Sequence, residues 1–232
     1  TPAFKEAYVK DKLEEATRLL RATLAMTSAQ ERARVAFGAI SMKPHFLAGV
    51  TPLMEHPDAV AAFDDAQREV LQRCMPNVPL TELAWRVACL PTRCGGLGIR
   101  LLAQTADATF VSTHYNAMAL IEAYTPRLTS LFPDPLSDDA GHHDVPVQAA
   151  LQRLIDRAWR VGELVCFDTP ISDEKLGAKI MDVVNDAELS DVRKSLSKQQ
   201  QANMISHSGD GLWFSAMPTE KTLTISNEEF SF

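Results

Sequence analysis

The stretch Asp58-Ala-Val-Ala-Ala-Phe-Asp-Asp-Ala-Gln-Arg-Glu-Val-Leu-Gln-Arg-Cys74 places Val60, Phe63, Val70, Leu71 and Cys74 at separations that recur on one side of an α-helix. No strand would gather those five residues on one face, because successive strand side chains alternate. The stretch therefore predicts a helix from about Asp58 to Cys74, with those five residues inward and Asp64 and Asp65 facing water. Pro76 and Pro79 close it, since proline can neither donate to nor continue a helix.

The same period extends in both directions. From Phe4 to Met26, the residues Val9, Leu13, Ala16, Leu20 and Leu24 form one apolar stripe. Ser28 and Glu31 stand at capping-box spacing and open a second helix to about Ile40, with Lys43-Pro44 as its end. Thr81 caps a short helix through Cys89. After Arg100 a long helical pattern has Ala106, Phe110, Thr113, Ala117, Leu120 and Tyr124 on one face. Residues 126–146 are rich in Pro, Asp and Ser and read as a linker. Val147, Leu151, Leu154, Ala158, Val161 and Val165 mark a further helix, and residues 173–205 hold one or two more. Near the C-terminus, Thr222 to Ile225 alternates like a short strand.

Composition narrows the class. A hydrophobic share of 46% is enough to build a core and argues against disorder. No apolar run approaches the roughly 18 residues of a membrane span, and the first residues lack a signal pattern. The four cysteines are scattered, which suits reduced thiols in a nuclear or cytoplasmic setting. The chain starts at Thr1 without Met and ends just after a new capping pattern at Ser226 and Glu229, which suggests a piece excised from a larger intracellular protein. Net charge is -7, unevenly spread. Residues 1–100 carry 13 Lys/Arg against 11 Asp/Glu, whereas the remainder carries 10 against 19. Since phosphate contacts need cations, any nucleic-acid surface is expected in the first hundred residues.

Several groups invite a chemical reading. Phe63-Asp64-Asp65 looks like a polymerase metal-binding motif, but Phe63 directly precedes Asp64 and the context is a helix; a solvated helix face is the simpler reading. His142-His143-Asp144, with Asp138 and Asp139 nearby, offers metal-type donors or a polar linker. Cys89 and Cys94 have no partner pair at zinc-finger spacing. Gly95-Gly96-Leu97-Gly98 is either a phosphate-cradling loop or a tight turn; it lacks the Gly-Lys-Ser/Thr ending. Arg32, Arg34, Lys43, Arg93 and Arg100, with Phe46 nearby, form a candidate nucleic-acid-binding set or a group of solubilising charges.

Leu90-Pro-Thr-Arg-Cys-Gly-Gly-Leu-Gly-Ile-Arg100, followed by the Ala-rich Ala103-Gln-Thr-Ala-Asp-Ala, resembles the segment downstream of the palm in non-LTR retrotransposon-like reverse transcriptases. Ser206-His-Ser-Gly-Asp-Gly-Leu-Trp-Phe-Ser-Ala-Met-Pro218 and Leu223-Thr-Ile-Ser-Asn-Glu-Glu-Phe230 resemble a later block of that family. The likeness is good over 1–125, vague over 126–195 and moderate over 196–232. On the mainly α protein that the pattern predicts, with its linker at 126–146 and short β element near the C-terminus, it implies a thumb-like helical domain at 1–125 and a helical connector at 147–232. It also implies a non-catalytic role, in which the thumb helps position an RNA–DNA or DNA primer–template duplex for a palm outside this chain. No cofactor is expected here, Mg belonging to that palm; the palm and C-terminal modules of the parent polymerase are the expected protein partners, with no membrane. A stand-alone helical protein-interaction module derived from such an element is the alternative, and a metal enzyme built on His142 and His143 a third.

Overall fold

The computed structural model describes residues 2–124, 145–165 and 175–206, and these are mainly helical, with no strand among them. The helices are α1 (Pro2–Ala22), α2 (Ala29–Ala33, continued as a π-helix over Arg34–Ile40), α3 (Lys43–Val50), α4 (Pro57–Cys74), α5 (Glu82–Cys89), α6 (Leu102–Tyr124), α7 (Val145–Arg157), α8 (Arg160–Val165), α9 (Leu176–Ser195) and α10 (Lys198–Ser206). Their starts follow local chemistry. Ser28 Oγ accepts from the Glu31 amide at the start of α2, and Thr81 Oγ1 accepts from Ala84 at the start of α5. The stripe Val9, Leu13, Ala16 and Leu20 is buried in α1, and all five expected residues of α4 are buried.

The chain folds as two compact units, interleaved in sequence. The first comprises Thr1–Pro44, Asp58–Leu102 and Glu188–Phe232; the second comprises His45–Pro57 and Ala103–Ala187. In the first, Leu71, Trp85, Ala88, Cys89 and Ile99 form one cluster, and Leu90, Val192 and Met204 another. In the second, Ala108 and Val111 of α6 pack with Val147, Leu151 and Leu154 of α7, Val161 and Val165 of α8, and Leu176, Ile180 and Val184 of α9. All but Val145 and Pro146 of the expected linker at 126–146, and the expected strand at Thr222 to Ile225, lie outside the described residues.

Three local expectations are corrected. Pro44 sits in the first turn of α3, where a missing N–H leaves no hydrogen bond broken. The stripe from Val147 to Val165 is buried throughout, but the helix breaks at Ala158-Trp159. The break sets α8 back onto α7, with Gly162 close to Ile155: a Cβ built on Gly162 lies 3.6 Å from Ile155 Cδ1. On α6 the buried residues are Leu102, Thr105, Ala106, Asp107, Ala108, Val111 and Ser112, whereas Thr113, Ala117 and Leu120 are exposed. Glycines approach α6 closely at two points. A Cβ on Gly177 of α9 would stand 2.8 Å from Ser112 Oγ, and one on Gly49 of α3 would stand 3.1 Å from Thr113 Oγ1. Small polar side chains thus occupy contacts where an apolar stripe was expected.

Within the second unit, α6 and α7 are tied by a forked ion pair. Arg153 Nε and Nη2 donate to the two oxygens of Asp107, at 2.8 and 2.7 Å. Asp107 is buried while Arg153 remains partly in water. Removing the cation strands a buried carboxylate, so the Arg153→Met variant is expected to lose ~1–2 kcal/mol of stability by urea denaturation. The Asp107→Asn/Arg153→Met double variant should recover part of that loss. Equal losses in the single and double variants would count against the pair as the α6–α7 tie.

Candidate nucleic-acid interface

The glycine-rich segment is a closed turn. Leu90, at the end of α5, is buried, and Pro91 leads into a 3₁₀ turn at Thr92–Cys94. Gly95 then takes φ 83°, in the left-handed region where a side chain is strained. Its backbone lies against α10: a Cβ there would stand 2.2 Å from the Met204 carbonyl oxygen. Gly96 is tighter still, for its Cβ would stand 2.1 Å from the Leu90 oxygen and 2.6 Å from the Val87 oxygen. The amides are turned inward. Cys94 and Gly96 donate to Pro91, Gly95 to Thr92, Leu97 and Ile99 to Ala88, and Gly98 to Leu90. A phosphate cradle needs amides pointing at the ligand. Here all six from Cys94 to Ile99 are bonded within the protein, so the segment is the tight turn of the two readings.

A second set of bonds fixes where this turn leads. Gln67, fully buried on α4, donates through Nε2 to the Arg100 carbonyl at 3.2 Å and to Asp64 Oδ1 at 3.1 Å. Asp64 Oδ1 in turn accepts from the Leu102 amide at 2.8 Å, at the first residue of α6. Asp64 is thus half-buried and satisfies an amide that α6 cannot satisfy itself. This corrects the expected water-facing acid pair, of which only Asp65 is exposed.

The five candidate cations separate. Arg32 is buried; its Nη1 donates to the Arg73 carbonyl at 2.9 Å and its Nη2 to the Met26 carbonyl. It closes the C-terminal end of α4 from inside and presents no guanidinium to a phosphate. Arg34 is half-buried in the π-helix and Lys43 is exposed at the start of α3. Lys43 faces Glu15 of α1, whose carboxyl is held below its ordinary range first by Lys12, with Lys43 and Arg18 adding less. Arg93 and Arg100 are exposed at either side of the glycine turn. These two flank one hydrogen-bonded turn, whose far end Gln67 and Asp64 hold at Arg100 and Leu102. The sequence offers no local sign of that anchoring, because the bonds span 33 and 38 residues.

Neither Cys74 nor Cys89 is set up as a nucleophile. Burial pushes the Cys89 thiol far above its ordinary range and raises that of Cys74, which favours the unreactive protonated form. Among the described residues no three His, Cys, Asp or Glu side chains gather in a group able to hold a metal ion; His142, His143 and Asp144 lie outside them. Among the described residues, too, no helix is long and apolar enough to cross a membrane.

No family model, curated protein or solved structure gives a significant match to this chain. The likeness to reverse transcriptases therefore rests on the residues quoted above.

The close approach at Gly96 leaves no room for a methyl group, and both opposing atoms are backbone oxygens. Gly96→Ala is expected to cost ~3 kcal/mol. Gly38, in the π-helix, faces open space, so Gly38→Ala should be neutral or gain up to ~1 kcal/mol. Thermal or urea unfolding of both variants checks this contrast; an unchanged Gly96→Ala midpoint would refute the tight packing.

Proposed function

We propose that the chain acts as a non-catalytic thumb-and-connector region of an RNA-directed DNA polymerase of the non-LTR retrotransposon type, helping to hold primer–template duplex for a palm domain. One observation carries the reading: Leu90–Arg100, which resembles the family's post-palm segment, forms a hydrogen-bonded turn on which Arg93 and Arg100 stand exposed. A thumb grips the sugar–phosphate backbone and reads no bases, a task that suits exposed cations on a hydrogen-bonded turn. The mainly helical character and the less acidic first hundred residues are in keeping with it. The acidic remainder suits packing against other parts of the parent polymerase better than against duplex.

A second reading, a helical protein-interaction module, is favoured by a different observation. Phe4, Phe46 and Trp159 are 69%, 84% and 67% exposed, and aromatic side chains of this kind commonly anchor protein interfaces.

The two readings separate on a labelled RNA–DNA hybrid titrated with the full chain at several salt concentrations. The thumb reading predicts binding that weakens with salt. The Arg93→Gln/Arg100→Gln variant should then bind about tenfold more weakly at low salt, with its log–log salt slope reduced by about 2. Absence of binding at low salt, or a slope untouched by the double substitution, would overturn the thumb reading for this chain.

A further inference from the structure

Gln67 and Asp64 contribute no charge to a duplex surface, yet from α4 they bond the backbone at Arg100 and at Leu102. Gln67 is completely buried, and its carboxamide nitrogen bridges the Arg100 carbonyl and the Asp64 carboxylate. Asp64 holds the Leu102 amide with the same oxygen that accepts from Gln67. The glycine turn fixes the other side of Arg100, through Gly98 on Leu90 and Ile99 on Ala88. Arg100 is thus the exposed residue between two clamped stretches, its backbone bound on both sides while its guanidinium remains at the surface.

We propose that the Asp64–Gln67 clamp is a positioning device for Arg100, and that it sets how well this arginine meets a duplex phosphate. The proposal rests on the thumb reading and adds two residues that no cation pattern would select. A long side chain loses rotamer freedom on binding, and a wandering backbone adds to that loss. Clamping residues 98–102 removes the second contribution before the duplex arrives, which is preorganisation. Releasing the clamp therefore weakens the phosphate contact although Arg100 itself is unchanged.

The test uses the full chain and the labelled RNA–DNA hybrid, with four variants: Gln67→Met, Asp64→Asn, Arg100→Gln, and Gln67→Met/Arg100→Gln. Methionine matches the volume of glutamine but donates no hydrogen bond, whereas asparagine at 64 keeps an acceptor for Leu102. The expected results for Gln67→Met are affinity about fivefold lower and a salt slope smaller by about 1, close to those of Arg100→Gln. Asp64→Asn should retain most of the slope. The double variant should fall no further than Arg100→Gln alone, since both substitutions remove one contact. Loss of stability by itself leaves the slope of the folded fraction unchanged, so the slope separates positioning from general damage. Circular dichroism checks folding; if Gln67→Met does not fold, Asp64→Ala, which removes the acceptor shared by Gln67 and the Leu102 amide, takes its place in the cycle.

If the wild-type chain does not bind the hybrid, the thumb reading falls and this proposal with it. If the wild type binds and Arg100→Gln lowers the slope, but Gln67→Met keeps the wild-type slope or adds its loss to that of Arg100→Gln, the positioning role alone is overturned.

Discussion

The first unit is organised around a backbone contact that only glycine permits. At Gly96 the main chain passes so close to the Leu90 and Val87 carbonyls that a single methyl group would collide with both. Because it passes there, Leu97 and Ile99 can donate to Ala88, and Leu90 can turn inward against Val192 and Met204. Gly95 repeats the arrangement against the backbone of α10. The segment after α5 thus binds the ends of two helices and delivers the chain to Gln67 and Asp64 on α4. Loss of side chains at three positions is offset by packing and by a full set of satisfied amides.

That economy of backbone bonding decides between functions for the segment. A glycine-rich loop with outward amides would suit phosphate groups directly. This one turns its amides inward, so any role with a polyanion falls to the flanking side chains, Arg93 and Arg100. The buried Arg32 makes the complementary point: an arginine can serve as a helix-end hydrogen-bond donor as well as a surface charge, and its two carbonyl partners show which it is here.

Where the chain is governed by near neighbours, it was legible from sequence. The stripes of α1 and α4 and the caps at Ser28 and Thr81 depend on residues three or four apart, and all but Leu24, half-buried in the 3₁₀ turn after α1, are found where the pattern puts them. Legibility fails where partners are distant. Asp64 reads as a surface acid from its own helix, and only the approach of Leu102 makes it a cap. Asp107 and Arg153 are 46 positions apart, and neither has a local feature that names the other. On α6 the apolar period misleads: Ser112 is buried against Gly177, a contact that favours small size, whereas Thr113, Ala117 and Leu120 are exposed. Of the candidate cations, charge type alone could not separate buried Arg32 from exposed Arg100.

Native-state hydrogen exchange reads the closed state of the turn most directly. If the turn is the fixed structural element described, the Gly96, Leu97 and Gly98 amides will exchange slowly, with protection near that of the buried positions of α4 and far above that of the exposed end of α10. Exchange of those three amides at the rate of an unstructured peptide, in protein whose α4 remains protected, would contradict it.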